Sequence, residues 1–231
     1  YGACSTMAES LVVGAMLVDG GYADPVLCAA GSHFCTAERQ YRYPLEYGNQ
    51  RTPAAQWTVT GAGACLLSAQ GKLYARIPLA TAGRVVDMGV SDPNNMGAAM
   101  APAAADTLIA HFRDTGRTPA DYDRVITGDL GLVGSRILRE LMEKNDFPLA
   151  DDHYMDCGLT IFDPKEDVHA GGSGCGCSAS VLSAHILPRL QKGEWRRVLF
   201  MATGALLSPT TNQQGETIPG VAHAVVLEGG S

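Results

Sequence analysis

The sequence lacks the features that mark membrane-spanning, secreted or nucleic-acid-binding proteins. No apolar run reaches the roughly eighteen residues of a transmembrane helix, so none is predicted. The chain does not open with a basic segment followed by an apolar stretch, so no signal peptide is predicted. Its 17 Lys and Arg residues form no cluster and the net charge is −7, which argues against nucleic acid as a partner.

Cysteine is present in an odd number, which does not suit a framework of disulfides. The seven cysteines are Cys4, Cys28, Cys35, Cys65, Cys157, Cys175 and Cys177. Several of them, such as Cys28 in PVLCAA and Cys65 in GAGACLLS, lie in apolar runs typical of strands. We therefore predict reduced thiols of a cytosolic protein rather than the cross-links of a secreted one.

The pattern of elements predicts an α/β fold. With 231 residues, 46% of them hydrophobic, the chain can bury one sizeable core or two half-domains. After PNNMG, strands alternate with helices of about 10–15 residues, which favours βαβ units and a largely parallel sheet. Residues 88–231 form this unit, and residues 1–87 resemble the end of a second one, so we predict a duplicated fold divided at 87/88.

Several local predictions can be checked in the structure. Residues 5–18 are predicted as a helix with a Thr6–Glu9 capping box, and the helix APAAADTLIAHFRDTG is predicted to end at Gly116. The segment from VTGAGACLLS to RVVD is predicted as a meander of strands, and GLTIFD as extended.

Cys4 lies just before the first predicted helix, a position at which a cysteine can be a reactive nucleophile. The positive end of a helix dipole lowers the pKa of a thiol and can activate it as a nucleophile. The alternative is a small buried hydrophobic residue in a tight turn, and position alone does not decide between them.

The order of motifs resembles that of thiolase-like condensing enzymes. The resemblance is carried by GACSTMAESLVVGAMLVDGG, VTGAGACLLS, YDRVITGDLGLVGSRILREL and GGSGCGCSASVLSAHILPRLQKGEWRRVLFMATGALLS. It implies a duplicated, layered α-β-α-β-α fold with an incomplete N-terminal half and Cys4 at the position of the nucleophile. The family's catalytic His would fall near Gly128–Asp129 and its Asn near Cys175, and neither is kept. The resemblance therefore implies a vestigial nucleophile in a cavity that has become a binding site.

A closer resemblance is to the stage V sporulation protein AD family. It is carried by SHFCTAERQYRYPLEYGNQRTPAAQWTVTGAGA, DPNNMGAAMAPAAADT, DVHAGGSGCGCSAS and SPTTNQQGETIPGVAHAVVLE. It implies a subunit without cofactor that binds dipicolinic acid, alone or as its calcium chelate, and acts with the membrane subunits of the stage V sporulation A system at the forespore inner membrane. Members of that family carry further residues before the Cys turn, so we expect this chain to be a fragment.

Dipicolinate, a flat ring with two carboxylates, needs planar donors and an apolar slot. The predicted ligand-binding residues are Cys4, His33, Arg39, Arg42, Arg51, Gln56, His169 and Cys175. Alternatively, Arg39 and Arg42 pair with Glu38 and Glu46 in a dimer loop, and His169 is a buried structural residue bonded to the backbone.

Two further motifs are assigned no cofactor or metal. The Gly-rich DVHAGGSGCGCS lacks the GK[ST] ending of a phosphate loop and is predicted to allow close approach of the backbone. Its Cys175 and Cys177 are predicted on a strand, facing opposite ways, as separate thiols. DDHYMDCG matches no standard zinc or calcium loop, so it is predicted as a solvated loop without a structural metal.

Three functions remain open from the sequence. The first is a non-catalytic ligand-binding subunit of a transport assembly. The second is an active Cys-dependent acyltransferase of the ketoacyl synthase III type, with His169 or Asp129 as a rearranged partner. The third is a purely structural scaffold. The resemblance also implies a homodimer paired through the strand ADPVLCAAGS.

Overall fold

The computed structural model describes residues 1–41, 52–71, 73–163 and 165–230. Its helices are α1 (Thr6–Asp19), α2 (Met96–Thr115), α3 (Gly131–Lys144), α4 (Cys157–Thr160), α5 (Cys175–Val181), α6 (Leu187–Gln191) and α7 (Pro209–Gln213). Its strands are β1 (Val26–Ser32), β2 (Trp57–Thr58), β3 (Gly61–Leu67), β4 (Ala75–Arg76), β5 (Ala80–Thr81), β6 (Arg124–Thr127), β7 (Tyr154–Asp156), β8 (Gly172–Ser173), β9 (Arg197–Ala205) and β10 (Gly220–Gly229). Short 3₁₀ turns cover Ala3–Ser5, Ala37–Tyr41 and Pro119–Asp121, and a π-helical segment (Leu182–Ile186) joins α5 to α6.

The largest sheet has the strand order β4–β10–β9–β6–β7, and β5 also pairs with β10. Strand β6 runs parallel to β7 and β9, whereas β10 is antiparallel to β9, β4 and β5. The prediction of a largely parallel sheet is therefore right only for β6, β7 and β9. Strands β9 and β10 are buried over nearly their whole length, which explains their continuous apolar sequences.

Helices cover both faces of this sheet and create two cores. Helices α2 and α3 pack on one face, where Met100, Leu108 and Phe112 are fully buried. Helices α1 and α5 pack on the other face and separate it from a two-stranded antiparallel sheet of β1 and β3. The side chains of Leu27 and Leu66 on the outer face of that smaller sheet are 68% and 66% exposed.

Helices α1 and α2 are confirmed, although α1 is capped differently and α2 begins five residues before the predicted segment. Helix α2 starts where the Asn95 side chain accepts a hydrogen bond from Ala98 N–H, and it ends at Gly116, whose φ of 66° suits glycine. At α1 the predicted capping box is wrong, because Ser5 is the N-cap residue and makes no side-chain cap. Glu9 instead accepts a hydrogen bond from Gly2 N–H at 2.7 Å, which fixes the turn before the helix.

Three predictions in the middle of the chain are wrong. The meander fails because β3 pairs with β1 along its full length, and residues 75–81 pair with β10 instead. GLTIFD is not extended, because the Asp156 carboxylate accepts a hydrogen bond from Leu159 N–H and so starts helix α4. DDHYMDCG is not a solvated loop, because it contains β7 and the buried Asp156.

Within the described residues, no helix combines the length and apolarity needed to cross a lipid bilayer.

Candidate functional site

A cavity of about 550 Å³ opens beside Cys4. It lies where the N-terminal ends of α1, α2 and α5 meet the chain just after β9, and the parallel strands β6 and β9 end at this side of the sheet. The carboxyl ends of parallel strands are the usual place for ligands in α/β proteins. The lining residues are Tyr1, Ala3, Cys4, Thr6, Ala37, Glu38, Gln40, Tyr41, Met96, Met100, Ser173, Gly174, Cys175, Ala205, Leu206 and Leu207.

The cavity walls are mainly apolar and carry little charge. Met96, Met100, Leu206 and Leu207 supply its large aliphatic side chains. Glu38 is the one charged side chain among the lining residues that the structure describes. Its carboxylate also accepts a hydrogen bond from His33 N–H at 3.0 Å.

Cys4 is held in a tight 3₁₀ turn that packs directly on β9. The preceding residue, Ala3, has a φ of +51°, which is uncommon for a residue with a side chain and is often found at functional sites. The Ser5 hydroxyl donates to Gly2 O at 2.7 Å and closes the turn. Gly204 of β9 leaves room for the turn, because a Cβ there would collide with the Gly2 carbonyl oxygen.

The Asp129 carboxylate is a buried neighbour of Cys4, whose side chain favours the ionised form of the acid. The carboxylate accepts hydrogen bonds from Gly174 N–H at 2.9 Å, the Thr203 hydroxyl at 3.0 Å and the Ser173 hydroxyl at 3.3 Å. Asp129 is 1% exposed, and this burial raises its pKa to about 6 although the donors oppose the shift. At neutral pH the group is therefore mostly ionised.

A second buried carboxylate, Asp156, fixes the segment that carries Asp129. It accepts hydrogen bonds from the Thr127 hydroxyl at 2.6 Å, Leu130 N–H at 3.0 Å, Gly131 N–H at 3.1 Å and Leu159 N–H at 3.2 Å. Burial raises its pKa, and the four donors oppose that rise. Because α3 begins at Gly131 and α4 contains Leu159, Asp156 ties the starts of two helices to the end of β6.

Cys175 and Cys177 lie in helix α5, so the prediction that they alternate along a strand is wrong. The Cys175 thiol reaches the cavity and donates to Gly31 O at 3.1 Å. Burial, and then the charge of Glu38, raise its pKa. Cys177 is fully buried, and burial raises its pKa well above the ordinary value. All seven cysteines are among the described residues, and none forms a disulfide.

Of the predicted ligand-binding residues, the structure brings Cys4 and Cys175 together at the cavity. His33 and Arg39 are exposed, and neither lines it. Arg42 and Arg51, together with Glu46, lie outside the described residues.

Gln56 and His169 also lie away from the cavity lining. The Gln56 amide is buried behind Asp129, where it donates to Asp129 O at 2.7 Å and Gly172 O at 2.9 Å. The His169 ring bonds to the backbone, with Nδ1 at 2.8 Å from Thr52 O, and its Nε2 is 3.1 Å from the Asp167 carboxylate.

The sequence did not predict which apolar residues line the cavity, and it indicated Asp129 only as a partner of Cys4 in the alternative acyltransferase. The one available signal was an acid between an apolar strand and a helix, in ITGDLG. Among the described residues, no group of three or more His, Cys, Asp or Glu side chains is arranged to hold a metal ion.

Comparisons with known proteins bear on the family and the fold of the chain. Residues 1–228 match the family described as Stage V sporulation protein AD (SpoVAD). Stage V sporulation protein AD of Bacillus subtilis (strain 168) is 52% identical over 228 residues, which cover 99% of this chain and 67% of that protein.

Solved structures of condensing enzymes share the fold. The tetronic acid condensing enzyme AbyA1 is 18% identical with a TM-score of 0.59, covering 98% of this chain and 66% of the enzyme. The 3-oxoacyl-[acyl-carrier-protein] synthase III from Aquifex aeolicus VF5 is 16% identical with a TM-score of 0.56, covering 98% of this chain and 65% of the synthase. Human mitochondrial 3-ketoacyl-CoA thiolase is 13% identical with a TM-score of 0.58, covering 99% of this chain and 78% of the thiolase.

At these identities the likeness shows the fold alone, which is thiolase-like as the sequence predicted. The chain spans about two thirds of the length of the sporulation relative, of AbyA1 and of the Aquifex aeolicus synthase.

Proposed function

Because the chain belongs to the Stage V sporulation protein AD family, we propose that it is a non-catalytic, thiolase-fold subunit that binds dipicolinic acid. In this proposal it supports the uptake of dipicolinic acid, together with calcium, into the developing spore. The ligand occupies the cavity beside Cys4.

The observation that carries the proposal is the buried carboxylate beside Cys4. A condensing enzyme uses an imidazole and an amide, or two imidazoles, beside its thiol to manage protons and stabilise an oxyanion or enolate. Here the neighbour of Cys4 is the buried carboxylate of Asp129, and Cys175 lines the same cavity. An ionised carboxylate can only accept hydrogen bonds, and the loss of one oxyanion donor costs about 10²–10³ in rate. The arrangement therefore favours binding over acyl transfer.

The cavity suits the ring of the ligand better than its charges. Its volume of about 550 Å³ and its aliphatic walls can enclose a small flat ring. Two ligand carboxylates need positive partners, whereas Glu38 is the one charged side chain in the described lining. Calcium chelated by the ligand would supply the missing positive charge. Arg39, Arg42 and Arg51 remain proposed carboxylate partners, with Arg39 one residue from Glu38.

The proposed setting is the forespore or spore inner membrane, where the subunit works peripherally with membrane subunits of the stage V sporulation A system. The support for this setting is family membership. We also propose that the chain forms a homodimer through β1, whose Leu27 is exposed on the outer face of the small sheet.

The second candidate function is an active Cys-dependent acyltransferase of the ketoacyl synthase III type. What favours it is a cysteine at the start of the 14-residue helix α1, opening into a cavity. His169 bonds to Thr52 O and does not line the cavity, so Asp129 would have to act as the base.

Isothermal titration calorimetry with dipicolinic acid tests the proposed function. The titration is run with calcium and with a chelator, and benzene-1,3-dicarboxylate is the matched ligand that lacks the ring nitrogen. We expect saturable binding of dipicolinate that calcium strengthens, and weaker binding of the benzene analogue because it chelates calcium less well. Absence of binding with and without calcium would refute the proposal and leave the scaffold or the enzyme.

A further inference from the structure

A second concave site, of about 1330 Å³, lies at the end of the main sheet opposite the Cys4 cavity. Strand β9 starts in this site at Arg197 and ends in the cavity wall at Ala205, so the two sites are about 26 Å apart. We propose that the second site, here named the basic groove, is a docking surface for an acidic, extended segment of a partner protein. The residues of the basic groove that carry the argument are Tyr74, Arg76, Trp195, Arg196, Arg197 and Glu228.

Glu228 holds two arginines of the basic groove in place. Its carboxylate accepts a hydrogen bond from Arg197 Nε at 2.7 Å through Oε1, and from Arg76 Nη2 at 2.7 Å through Oε2. One carboxylate thus serves two guanidinium groups, which leaves positive charge over and fixes both groups before a partner binds. Arg76 and Arg197 are far apart in the sequence, which explains why no basic cluster is visible there.

The other two acids that line the basic groove bind backbone and hydroxyl donors. Asp123 accepts hydrogen bonds from Arg196 N–H at 2.7 Å and Arg197 N–H at 2.9 Å. Asp121 accepts from the N–H group of Thr118 at 2.7 Å and from its hydroxyl at 3.0 Å. Because these donors are not guanidinium groups, neither acid takes up an arginine side chain by direct hydrogen bonding.

The open donor of the basic groove is Arg196. Its side chain is exposed, and its guanidinium group makes no hydrogen bond or ion pair with any residue that the structure describes. A guanidinium group carries five N–H donors in one plane and can bind a carboxylate through two of them. The chemistry of the site therefore calls for a ligand with anionic oxygens.

The size of the basic groove favours a protein segment over a phosphate ion or a lipid surface. Pockets for small ligands usually enclose about 300–1,000 Å³, and this groove encloses about 1330 Å³. A flat bilayer cannot follow a concave surface. An extended acidic peptide fits both the volume and the open arginine.

The aromatic residues of the basic groove point to the same partner. Leu73 and Tyr74 on its rim are 50% and 55% exposed. The Trp195 ring is held by Arg124 and Arg189, whose guanidinium carbons lie 5.6 Å and 5.3 Å from the ring centre. Because Trp, Tyr and Arg supply much of the binding energy at protein interfaces, this set of residues is typical of a docking site.

The charge of the whole chain makes such binding selective. With a net charge of −7, the molecule as a whole repels an acidic partner, which is attracted only where arginines gather. The inference rests on the proposed function only for the kind of assembly that supplies the partner. Its test uses no dipicolinate, so the two proposals can fail separately.

The test uses Trp195 as a local reporter. The chain has two tryptophans, so Trp57→Phe leaves Trp195 as the only one. This variant is titrated with a synthetic oligoglutamate peptide that carries one central phenylalanine, at low ionic strength, where charge attraction is least screened. We expect a saturable change in Trp195 fluorescence. The same peptide with glutamine in place of every glutamate is the matched control and should not bind.

Variants in the Trp57→Phe background locate the binding. Arg196→Gln removes the open guanidinium group and should weaken peptide binding by about tenfold. Tyr74→Ala removes an exposed ring and should also weaken it. Arg136→Gln makes the same change of charge at an exposed position of α3 outside the groove, so its affinity should stay within about twofold of the parent. Circular dichroism confirms that each variant is folded.

Several results would overturn the proposal. They are the absence of saturation by the oligoglutamate peptide, equal binding of the glutamine peptide, unchanged binding in both groove variants, and equal losses in Arg196→Gln and Arg136→Gln. Saturation by inorganic phosphate or by phosphatidylglycerol vesicles, without binding of the peptide, would also overturn it, because the groove would then serve a different ligand.

Discussion

Asp129 and Asp156 are both buried carboxylates at the same end of the main sheet, yet their surroundings differ. Asp156 accepts four hydrogen bonds, and all four donors belong to the framework, at the end of β6 and the starts of α3 and α4. Asp129 accepts framework donors as well, but one of its neighbours is the Cys4 side chain at the cavity. Burial of an acid therefore does not by itself mark a functional residue. The neighbours of each acid separate the structural carboxylate, Asp156, from the carboxylate beside the cavity, Asp129.

The largest effect on the free energy of unfolding should come from removing the structural carboxylate of Asp156. Asp156→Ala leaves three backbone N–H groups without the carboxylate that accepts from them, and the Thr127 hydroxyl keeps only its contact with the Tyr154 hydroxyl. We expect the free energy of unfolding to fall by about 3–5 kcal/mol. Urea denaturation followed by circular dichroism measures the loss.

Asp156→Asn is the matched control for that variant, because it keeps one acceptor oxygen and should cost less. A loss below about 1 kcal/mol in Asp156→Ala would show that Asp156 is not the anchor of this segment.

The acid beside the cavity, Asp129, should have a smaller and pH-dependent effect on the free energy of unfolding. The pKa of Asp129 rises from 3.8 to about 6 on folding, so the folded state binds this proton more tightly than the unfolded state. Asp129 therefore stabilises the fold below its unfolded pKa, and that contribution is lost as the pH rises through about 6. Asn at this position does not titrate. Relative to wild type, Asp129→Asn should gain about 1 kcal/mol between about pH 5 and pH 8.

Chemical denaturation of both proteins at the two pH values measures this gain. A difference that stays constant, or that changes in favour of wild type as the pH rises, would show that folding does not raise the pKa of Asp129.

The sequence predicted the elements that depend on local signals. Helix α2 carries its own stop signal in Gly116, and β9 and β10 are continuous apolar runs. Strand pairing was less predictable. Nothing in the sequence of residues 75–81 indicates that β4 and β5 pair with β10 rather than with β3.

The site was only partly predictable because tertiary contacts assemble it. Cys4 was recognised from its place before α1, but Glu38, Met96 and Leu207 meet there from distant parts of the chain. The composition of DDHYMDCG suggested a solvated loop, since sequence alone does not show that four donors surround Asp156. The arginine-rich segment was predicted to grip the ligand. Within its described part, Glu38, Gln40 and Tyr41 line the cavity and Arg39 does not.

The central claim of this account is that a condensing-enzyme fold holds its cysteine beside a carboxylate and performs no acyl transfer. The most direct test is the intact mass of the folded chain after incubation with acetyl-CoA, with alkylation of the denatured protein as a control that Cys4 is intact. We predict an unchanged mass. Stoichiometric acetylation that disappears in Cys4→Ala would contradict the claim and establish a reactive nucleophile.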